Sequence, residues 1–325
     1  MDVLSDAVTA MRTGRPHSGL RYKYGPWGTR FQATDGAGFH VVLRGSAWLL
    51  PAQGEPVALG PGDVVFLAHG RGHALASGLE APLEDFGLDA EGRWPDPPPP
   101  PPDAPEPDTL MLCGAYLLDR SRAHPLLTEL PEVVHLPARV GVHGSLRAAV
   151  ELLGQELTEC RPGSDTVVAS LLDTLLLYIL RAWWEREAHD TAHRGGWAAA
   201  LTDPAVSAAL HALHADPGRP WTVEELGARG GLSRAAFARR FTTLVGRPPL
   251  AYLTWWRMTT AGRLLRGEEG LPLRQVARRT GYTSEFAFAK AFKREYGVAP
   301  GQYRKQPGRH RSRAPQGRLA GPADA

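Results

Sequence analysis

Three side chains in the first half of the chain could support metal or redox chemistry. His40, His73 and Cys113 carry the nitrogen and sulfur donors that transition metals bind. A metal site needs several such groups to converge, and His40 lies without a second histidine or a glutamate at close spacing. We therefore predict that the two histidines are structural and that the chain holds no metal or other cofactor. The alternatives are a ligand or metal site shared by the three residues, or a redox-responsive thiol at Cys113, which would need exposure and a lowered pKa.

A second set of candidate residues belongs to a repeat in the last third of the chain. Residues 233–252 (SRAAFARRFTTLVGRPPLAY) and residues 284–303 (SEFAFAKAFKREYGVAPGQY) are identical at 8 of 20 positions, with an offset of 51 residues. In each copy a serine can cap a helix, phenylalanines at helical spacing can face a small core, and a glycine can end the helix. Two related copies in tandem are more informative than one, so we predict two helices with the same role.

Each copy carries cations on the side of its helix that faces away from the predicted core. Arg239 lies there in the first copy, and Lys290 and Lys293 lie there in the second. A shorter helix is predicted before each copy, over 222–229 and 273–280, with a glycine-containing turn between the two helices. This is the helix-turn-helix plan, whose second helix can lie in the major groove of DNA. A plain helical bundle is the alternative.

The charge of the chain divides in the same way. The whole chain has a net charge of +3. Residues 1–196 hold 16 Lys and Arg against 25 Asp and Glu, a net of −9, whereas residues 197–325 hold 21 against 9, a net of +12. Clustered Arg and Lys attract a polyanion, most often nucleic acid. The second half is therefore predicted to bind double-stranded DNA through its repeat.

The first half is predicted to form a small β-barrel or sandwich followed by helices. Between residues 20 and 90, short runs of β-forming residues alternate with turns, among them Gly-Pro-Gly-Asp at 60–63. Proline-rich residues 94–107 are interpreted as a loop of this domain, with a ligand for a proline-binding module as the alternative. Helices are predicted over about 145–160 and 165–188. They could pair with the same helices of a second subunit in a homodimer, or pack within one subunit.

The sequence favours a soluble cytoplasmic protein over a secreted or membrane protein. Residues 1–15 contain early acids and no apolar core of a signal peptide. The most apolar stretch, 167–184, contains Asp173 and Arg181 and is close to the lower length limit for a membrane span, so a buried helix is favoured. Two cysteines cannot form a disulfide framework, and reduced thiols are expected in the cytosol.

The repeat and its surroundings resemble the C-terminal domain of AraC-type transcriptional regulators. The resemblance is carried by the two helix-turn-helix units, the segment GYTSEFAFAKAFKREYGVAPGQYR and the linking helix around 249–266. It covers residues 203–306. It implies that two recognition helices enter successive major grooves on one face of the DNA, and it favours an activator, for which RNA polymerase would be a further partner.

The resemblance also implies which side chains face the DNA. Arg239 could form two hydrogen bonds with a guanine, and Phe286 could pack on a thymine methyl group. Lys290 could contact guanine or phosphate, whereas Glu285 could accept from a cytosine amine or simply favour the helix start. The base-facing residues are predicted to be Ala235, Ala238, Arg239, Glu285, Phe286 and Lys290, and the phosphate contacts Arg234, Arg240, Lys293 and Arg294.

Residues 1–190 resemble the cupin-like sensor domain found on one branch of these regulators. The matching segments include FHVVLRGSAWL, PGDVVFLAHGRGHAL and HPLLTELPEVVHL. The implied chain is α+β, with a cupin-like β-barrel and a helical extension over 1–190. A linker over 191–202 leads to an all-α domain with two helix-turn-helix units over 203–306, and a basic tail covers 307–325.

Together these features predict a sequence-specific DNA-binding transcriptional regulator that responds to an unknown small-molecule or redox effector and is not an enzyme. The alternative is a metal-dependent cupin enzyme tethered to a DNA-binding domain. That alternative would need an intact metal triad, which the sequence does not supply. A constitutive DNA-binding protein with a structural N-terminal domain is a third interpretation.

Overall fold

A computed structural model describes residues 2–11, 16–34, 36–87, 100, 103–118, 124–138, 142–159, 161–190, 196–267 and 271–305. Most of the proline-rich segment 94–107, the predicted tail 307–325 and Cys160 lie outside these residues. In the described residues a short helix comes first, ten strands follow with one short helix among them, and the remaining helices come last.

The strands form two five-stranded sheets that face each other. One sheet has the order β1-β9-β3-β6-β10 and the other β5-β4-β7-β2-β8. Neighbours are antiparallel except β2 and β8, which are parallel. The strands are β1 His17–Lys23, β2 Gly28–Phe31, β3 Gly36–Arg44, β4 Ala47–Pro51, β5 Val57–Leu59, β6 Val64–Leu67, β7 His73–Ala76, β8 Glu84–Phe86, β9 Thr109–Leu117 and β10 Val134–Leu136. The predicted cupin-like fold is confirmed.

The Gly-Pro-Gly-Asp segment makes the predicted turn between β5 and β6. Gly62 has a φ of 85°, which a residue with a Cβ rarely adopts. The Asp63 carboxylate accepts hydrogen bonds from the backbone N–H groups of Gly60 at 3.0 Å and Ala138 at 2.7 Å. The turn therefore fixes the start of β6 and also ties it to the chain that follows β10.

Two long helices, α3 (Gly144–Glu159) and α4 (Ser164–Asp190), pack together and cover the barrel. By length and composition alone, residues 164–186 of α4 could cross a membrane. The described packing is that of a core helix, because Leu172, Leu176 and Ile179 are buried and Tyr116 of β9 donates a hydrogen bond to the Leu172 carbonyl at 2.8 Å. The expectation of a buried helix agrees with this packing.

The helices from residue 197 onward form the basic domain. Residues 197–202, assigned above to a linker, form a helix because Trp197 is fully buried. Helices α7–α8 and α10–α11 are the two predicted helix-turn-helix units, and α9 links them. The described helices not yet given are α1 Val3–Met11, α2 Pro125–Thr128, α5 Trp197–Thr202, α6 Pro204–Ala215, α7 Val223–Ala228, α8 Arg234–Val245, α9 Pro249–Gly267, α10 Leu273–Arg279, α11 Glu285–Tyr296 and α12 Pro300–Lys305.

The two helix-turn-helix units have different hydrophobic cores. One continuous core runs from α1 and the outer face of the barrel through α3 and α4 into α5–α8 and the first half of α9. The second unit, with the other half of α9, has a separate core built on Met258, Leu265, Phe288, Phe292 and Tyr303. A third cluster fills the space between the sheets. The first unit is therefore packed as part of the sensor body, and the second is packed on its own.

Candidate DNA interface and sensor cavity

The first unit is defined by side-chain caps at both of its helices. Thr222 and Glu225 form a reciprocal capping box at the start of α7, with the Glu225 N–H donating to Thr222 Oγ1 at 3.1 Å and the Thr222 N–H donating to the Glu225 carboxylate at 2.9 Å. Ser233 accepts a hydrogen bond from the Ala236 N–H at the start of α8. Gly246 ends that helix in the left-handed conformation. The boundaries predicted from the repeat are confirmed.

The second unit repeats the plan around α11. Ser284 accepts from the Ala287 N–H at the helix start, and Gly297 ends the helix with a φ of 73°. Phe288 and Phe292 are fully buried, as are their counterparts Phe237 and Phe241 in the first unit. Because these residues fix one face of each helix inward, the opposite faces are presented to solvent.

The outward faces carry most of the predicted DNA-binding residues. Phe286, at the second position of α11, is 80% exposed, which is unusual for a large apolar side chain on a folded helix. Its counterpart in the first unit is Ala235, which is also exposed. Ala238 is half-buried. The other predicted contacts are all exposed, namely Arg234, Arg239, Arg240, Glu285, Lys290, Lys293 and Arg294.

Arg240 has a second partner that the sequence does not indicate. Its guanidinium forms an ion pair with Asp203, whose carboxylate is almost fully buried and also caps α6 through the N–H groups of Ala205 and Val206. The counterpart of Arg240 in the second unit is the buried Ala291. This position therefore lies toward the body of the domain, and a phosphate contact by Arg240 stays a prediction that competes with the ion pair.

In the barrel, the structure brings His40, His73 and Cys113 to one cavity. Its empty volume is about 560 Å³, including the open mouth. The two imidazoles are joined by a hydrogen bond of 2.8 Å between their Nε2 atoms. The ring of Phe31 stacks on His73 with 4.8 Å between ring centroids. Further lining residues are His17, Arg21, Leu67, Arg71, Phe86 and Ala115.

The three candidate residues are uncharged in this environment. Burial lowers the pKa of His73 to about 4, and burial together with the neighbouring His73 holds the pKa of His40 well below its ordinary value. Burial raises the pKa of the Cys113 thiol to about 12, which outweighs the opposite influence of Arg21 and Lys23. A buried, protonated thiol lacks the thiolate that redox-responsive cysteines use.

The contacts around the two histidines indicate where their protons lie. His73 Nδ1 lies 3.4 Å from the Arg71 carbonyl, which can only accept, so this nitrogen carries the proton. His73 Nε2 is then the acceptor, and His40 Nε2 donates to it. The Nε2 atoms of His40 and His73 therefore form a hydrogen bond with each other. Within the described part of the chain, no group of three or more His, Cys, Asp or Glu side chains is placed to hold a metal ion.

A buried polar cluster between the two domains was not predicted. Asp6 of α1, His124 before α2, His214 of α6 and Tyr252 of α9 are joined by hydrogen bonds. Two of these hydrogen bonds, His124–Tyr252 and His214–Asp6, join residues more than 100 positions apart in sequence. No local pattern connects residues so far apart, so only the fold reveals them.

Two helix-turn-helix units on a shared linking helix, fused to a two-sheet cupin-like domain, define a class of protein: the DNA-binding regulators with a separate N-terminal domain. A cupin family model matches residues 2–185, and a helix-turn-helix domain model matches residues 226–306. The chain belongs to the AraC-like family of transcription regulators, and it is a sequence-specific DNA-binding regulator.

Relatives cover almost the whole chain. A putative AraC-like transcription regulator of Streptomyces lividans is 37% identical over 310 residues, covering 94% of this chain and 99% of the relative. One of the same description from Streptomyces antibioticus is 38% identical with the same coverage. Among solved structures, the DNA-binding domain of the global transcriptional factor AdpA in complex with a target DNA is 36% identical, covers 31% of this chain and 90% of that chain, and has a TM-score of 0.29.

Proposed function

We propose that this regulator is a cytoplasmic homodimer without catalytic activity, that it reads two successive major grooves with α8 and α11, and that a small-molecule effector in the barrel controls this binding. The observation that carries the proposal is the pairing of two outward-facing recognition helices with a separate sensor cavity in one chain. Family membership supports the DNA-binding part.

The side chains on the outward faces give each helix a distinct role. Arg239 would fork to a guanine, and Phe286 would pack on a thymine methyl group, because Arg matches the acceptor pair of guanine and apolar groups match the methyl. Lys290 would contact guanine or phosphate, and Glu285 a cytosine amine. The base-edge set also includes Ala235 and Ala238, and the phosphate set is Arg234, Arg240, Lys293 and Arg294.

The cavity supports a small molecule as the effector in preference to thiol oxidation. Its walls combine aromatic and apolar side chains with a few polar groups, which is the usual composition of a small-molecule site. Cys113, by contrast, is buried and protonated. A reagent that modifies exposed thiols should therefore leave Cys113 unmodified.

The exposed apolar residues of α3 and α4 support dimerisation. Leu152 is 53% exposed and Val167 is 42% exposed. Sedimentation of the wild-type chain and of a Leu152→Glu variant would test this surface. A dimer that becomes a monomer in the variant is expected. Contact with RNA polymerase, as an activator, is the remaining part of the proposal.

Selection of binding sites from random-sequence duplexes tests the DNA-reading part. For each bound subunit, we expect enrichment of two short conserved blocks whose centres are about one helical turn, roughly 10 bp, apart. Enrichment of a single block, or of no sequence at moderate salt, would contradict the proposal.

A further inference from the structure

A chain of three hydrogen bonds crosses the boundary between the sensor and the DNA-binding domain. His124 Nε2 lies 3.2 Å from the hydroxyl of Tyr252, that hydroxyl lies 2.6 Å from His214 Nε2, and His214 Nδ1 lies 3.2 Å from the Asp6 carboxylate. All four side chains are buried. Asp6 and His124 come from the sensor side, whereas His214 and Tyr252 belong to the helical domain.

The chemistry of the four groups fixes which atom donates and which accepts in each of the three hydrogen bonds. A carboxylate can only accept, so His214 Nδ1 donates to Asp6. Burial lowers the pKa of His214 and that of His124, so both imidazoles are neutral. The other nitrogen of His214 is then an acceptor and takes the Tyr252 proton. The Tyr252 oxygen in turn accepts from His124 Nε2, so every donor along the chain has its acceptor.

Aromatic side chains enclose this polar chain. The His214 ring stacks on Trp256 with 4.0 Å between ring centroids and 19° between planes. His124 packs against Trp197 at 4.7 Å and Trp255 at 5.1 Å. The enclosure removes water as an alternative partner, so each member depends on the others for its hydrogen bonds.

These hydrogen-bonded side chains lie at the point where motion of the sensor would reach the first recognition helix. Tyr252 is in the first turn of α9, directly after α8, and its ring contacts Phe241 of α8 with 5.9 Å between centroids. Asp6 lies on α1, which packs on α4, α6 and α9. The repeat counterpart, Tyr303, lies in the separate core of the second unit.

We propose that Asp6, His214, Tyr252 and His124 are positioning residues that couple the sensor domain to the first recognition helix and leave the second unit uncoupled. The inference rests on the proposed DNA-reading role of α8. The docked state of α1 is taken as the state that binds DNA. Because coupling between two sites is reciprocal, DNA bound to α8 should then stabilise that docked state.

Hydrogen exchange of the full-length chain tests the proposal. The probe is a duplex selected as described above, and the readout is exchange at the backbone amides of α1. In the wild-type chain, specific duplex should slow this exchange about fivefold or more, at the lower end of typical coupling. Tyr252→Phe should abolish the slowing and should speed exchange of α1 without DNA about tenfold, since two buried groups lose a partner.

Tyr303→Phe is the matched control, because it removes a hydroxyl at the same position of the second unit. It should leave α1 exchange and its response to DNA unchanged. If Tyr252→Phe unfolds the chain, Asp6→Asn takes its place, since it removes the charge and keeps the shape. The proposal is overturned if the duplex does not alter α1 exchange in the wild-type chain, or if the two tyrosine variants act alike.

Failure of the proposed function would give a different result. In that case the selected duplex would bind no more tightly than a scrambled one, as measured separately by fluorescence anisotropy. Amide exchange of α1 without DNA, compared between Tyr252→Phe and Tyr303→Phe, would still decide whether the four hydrogen-bonded side chains hold α1 to the first unit. Equal effects of the two variants on α1 would overturn the coupling in that case as well.

Discussion

The two helix-turn-helix units share a repeat and differ in what holds them. The first packs into the same core as the barrel and α4, and it is further tied by the Arg240–Asp203 ion pair. The second has its own core, in which Phe292 stacks on Tyr296 at 4.1 Å and the Tyr296 hydroxyl donates to the Met258 carbonyl. Duplicated sequence has therefore produced one unit fused to the sensor and one independent unit.

The outward faces of α8 and α11 also differ. The first unit presents the small Ala235 where the second presents the exposed Phe286. A small side chain supplies less contact with a base edge than an aromatic ring does. Under the proposed function, the second unit would contribute more to sequence choice at this position, and the first would be the unit on which the cupin-like domain acts.

Removal of one core phenylalanine should give the largest difference between the units. Phe241→Ala and Phe292→Ala are matched positions, and each should cost about 3–5 kcal/mol. We expect Phe292→Ala to unfold the second unit alone, because its core is separate, whereas Phe241→Ala should lower the transition of the sensor and first unit together. Scanning calorimetry distinguishes these outcomes. Equal loss from the sensor transition in both variants would contradict the division into two cores.

Acidification should weaken the first unit and the barrel, and it should spare the second unit. Burial lowers the pKa of His124 and that of His214 in the folded chain. Below the ordinary histidine pKa near 6.5, these two imidazoles therefore take up protons in the unfolded chain and stay neutral in the folded chain. This contribution to stability is complete above about pH 6.5 and is lost as the pH falls, by at most about 1.4 kcal/mol per imidazole and pH unit.

The second unit provides the internal control for this titration, since residues 271–305 contain no histidine. Urea unfolding followed by hydrogen exchange at pH 7.0 and pH 5.5 reports both units in one sample. Because burial also lowers the pKa of His40 and His73, loss of stability in the barrel, α1 and α5–α8, with no loss in residues 271–305, is the expected result. A uniform loss across both units would show that these imidazoles are not its source.

Base-contact variants should separate the units at the DNA. Arg239→Ala should weaken binding to a selected site by about 1–3 kcal/mol and relax the preference at one base pair. Lys290→Ala at the matched position should act at the other half-site. Binding to a set of single-base variants, by anisotropy, measures both effects. The groove assignment is wrong if neither substitution changes affinity at moderate salt.

The smallest expected effect comes from a phosphate contact. Lys293→Ala should weaken binding uniformly across sequences and reduce the slope of log K against log salt by about 1, as expected for one lost phosphate contact. Arg240→Ala should change that slope less, because its guanidinium is already paired with Asp203. Equal slopes for the two variants would indicate that Arg240 leaves its partner when DNA binds.

Local signals in the sequence were enough to predict the two helix-turn-helix units. They were not enough to predict the long-range contacts. Ser284, Phe288 and Gly297 encode cap, core and end within one helix, so their roles follow from spacing alone. The position of Arg240 depends on Asp203, 37 residues away, and Tyr252 meets His124 at a separation of 128 residues. Such contacts are set by packing of whole elements, which no pattern within one segment reports.

Hydroxyl-radical footprinting of the full-length chain on a selected duplex tests the central claim most directly. For each bound subunit, two recognition helices on one linking helix should protect two patches on one face of the DNA, separated by about 10 bp. Arg239→Ala should weaken one patch and Lys290→Ala the other. A single protected patch, or two patches that both substitutions weaken equally, would contradict the account.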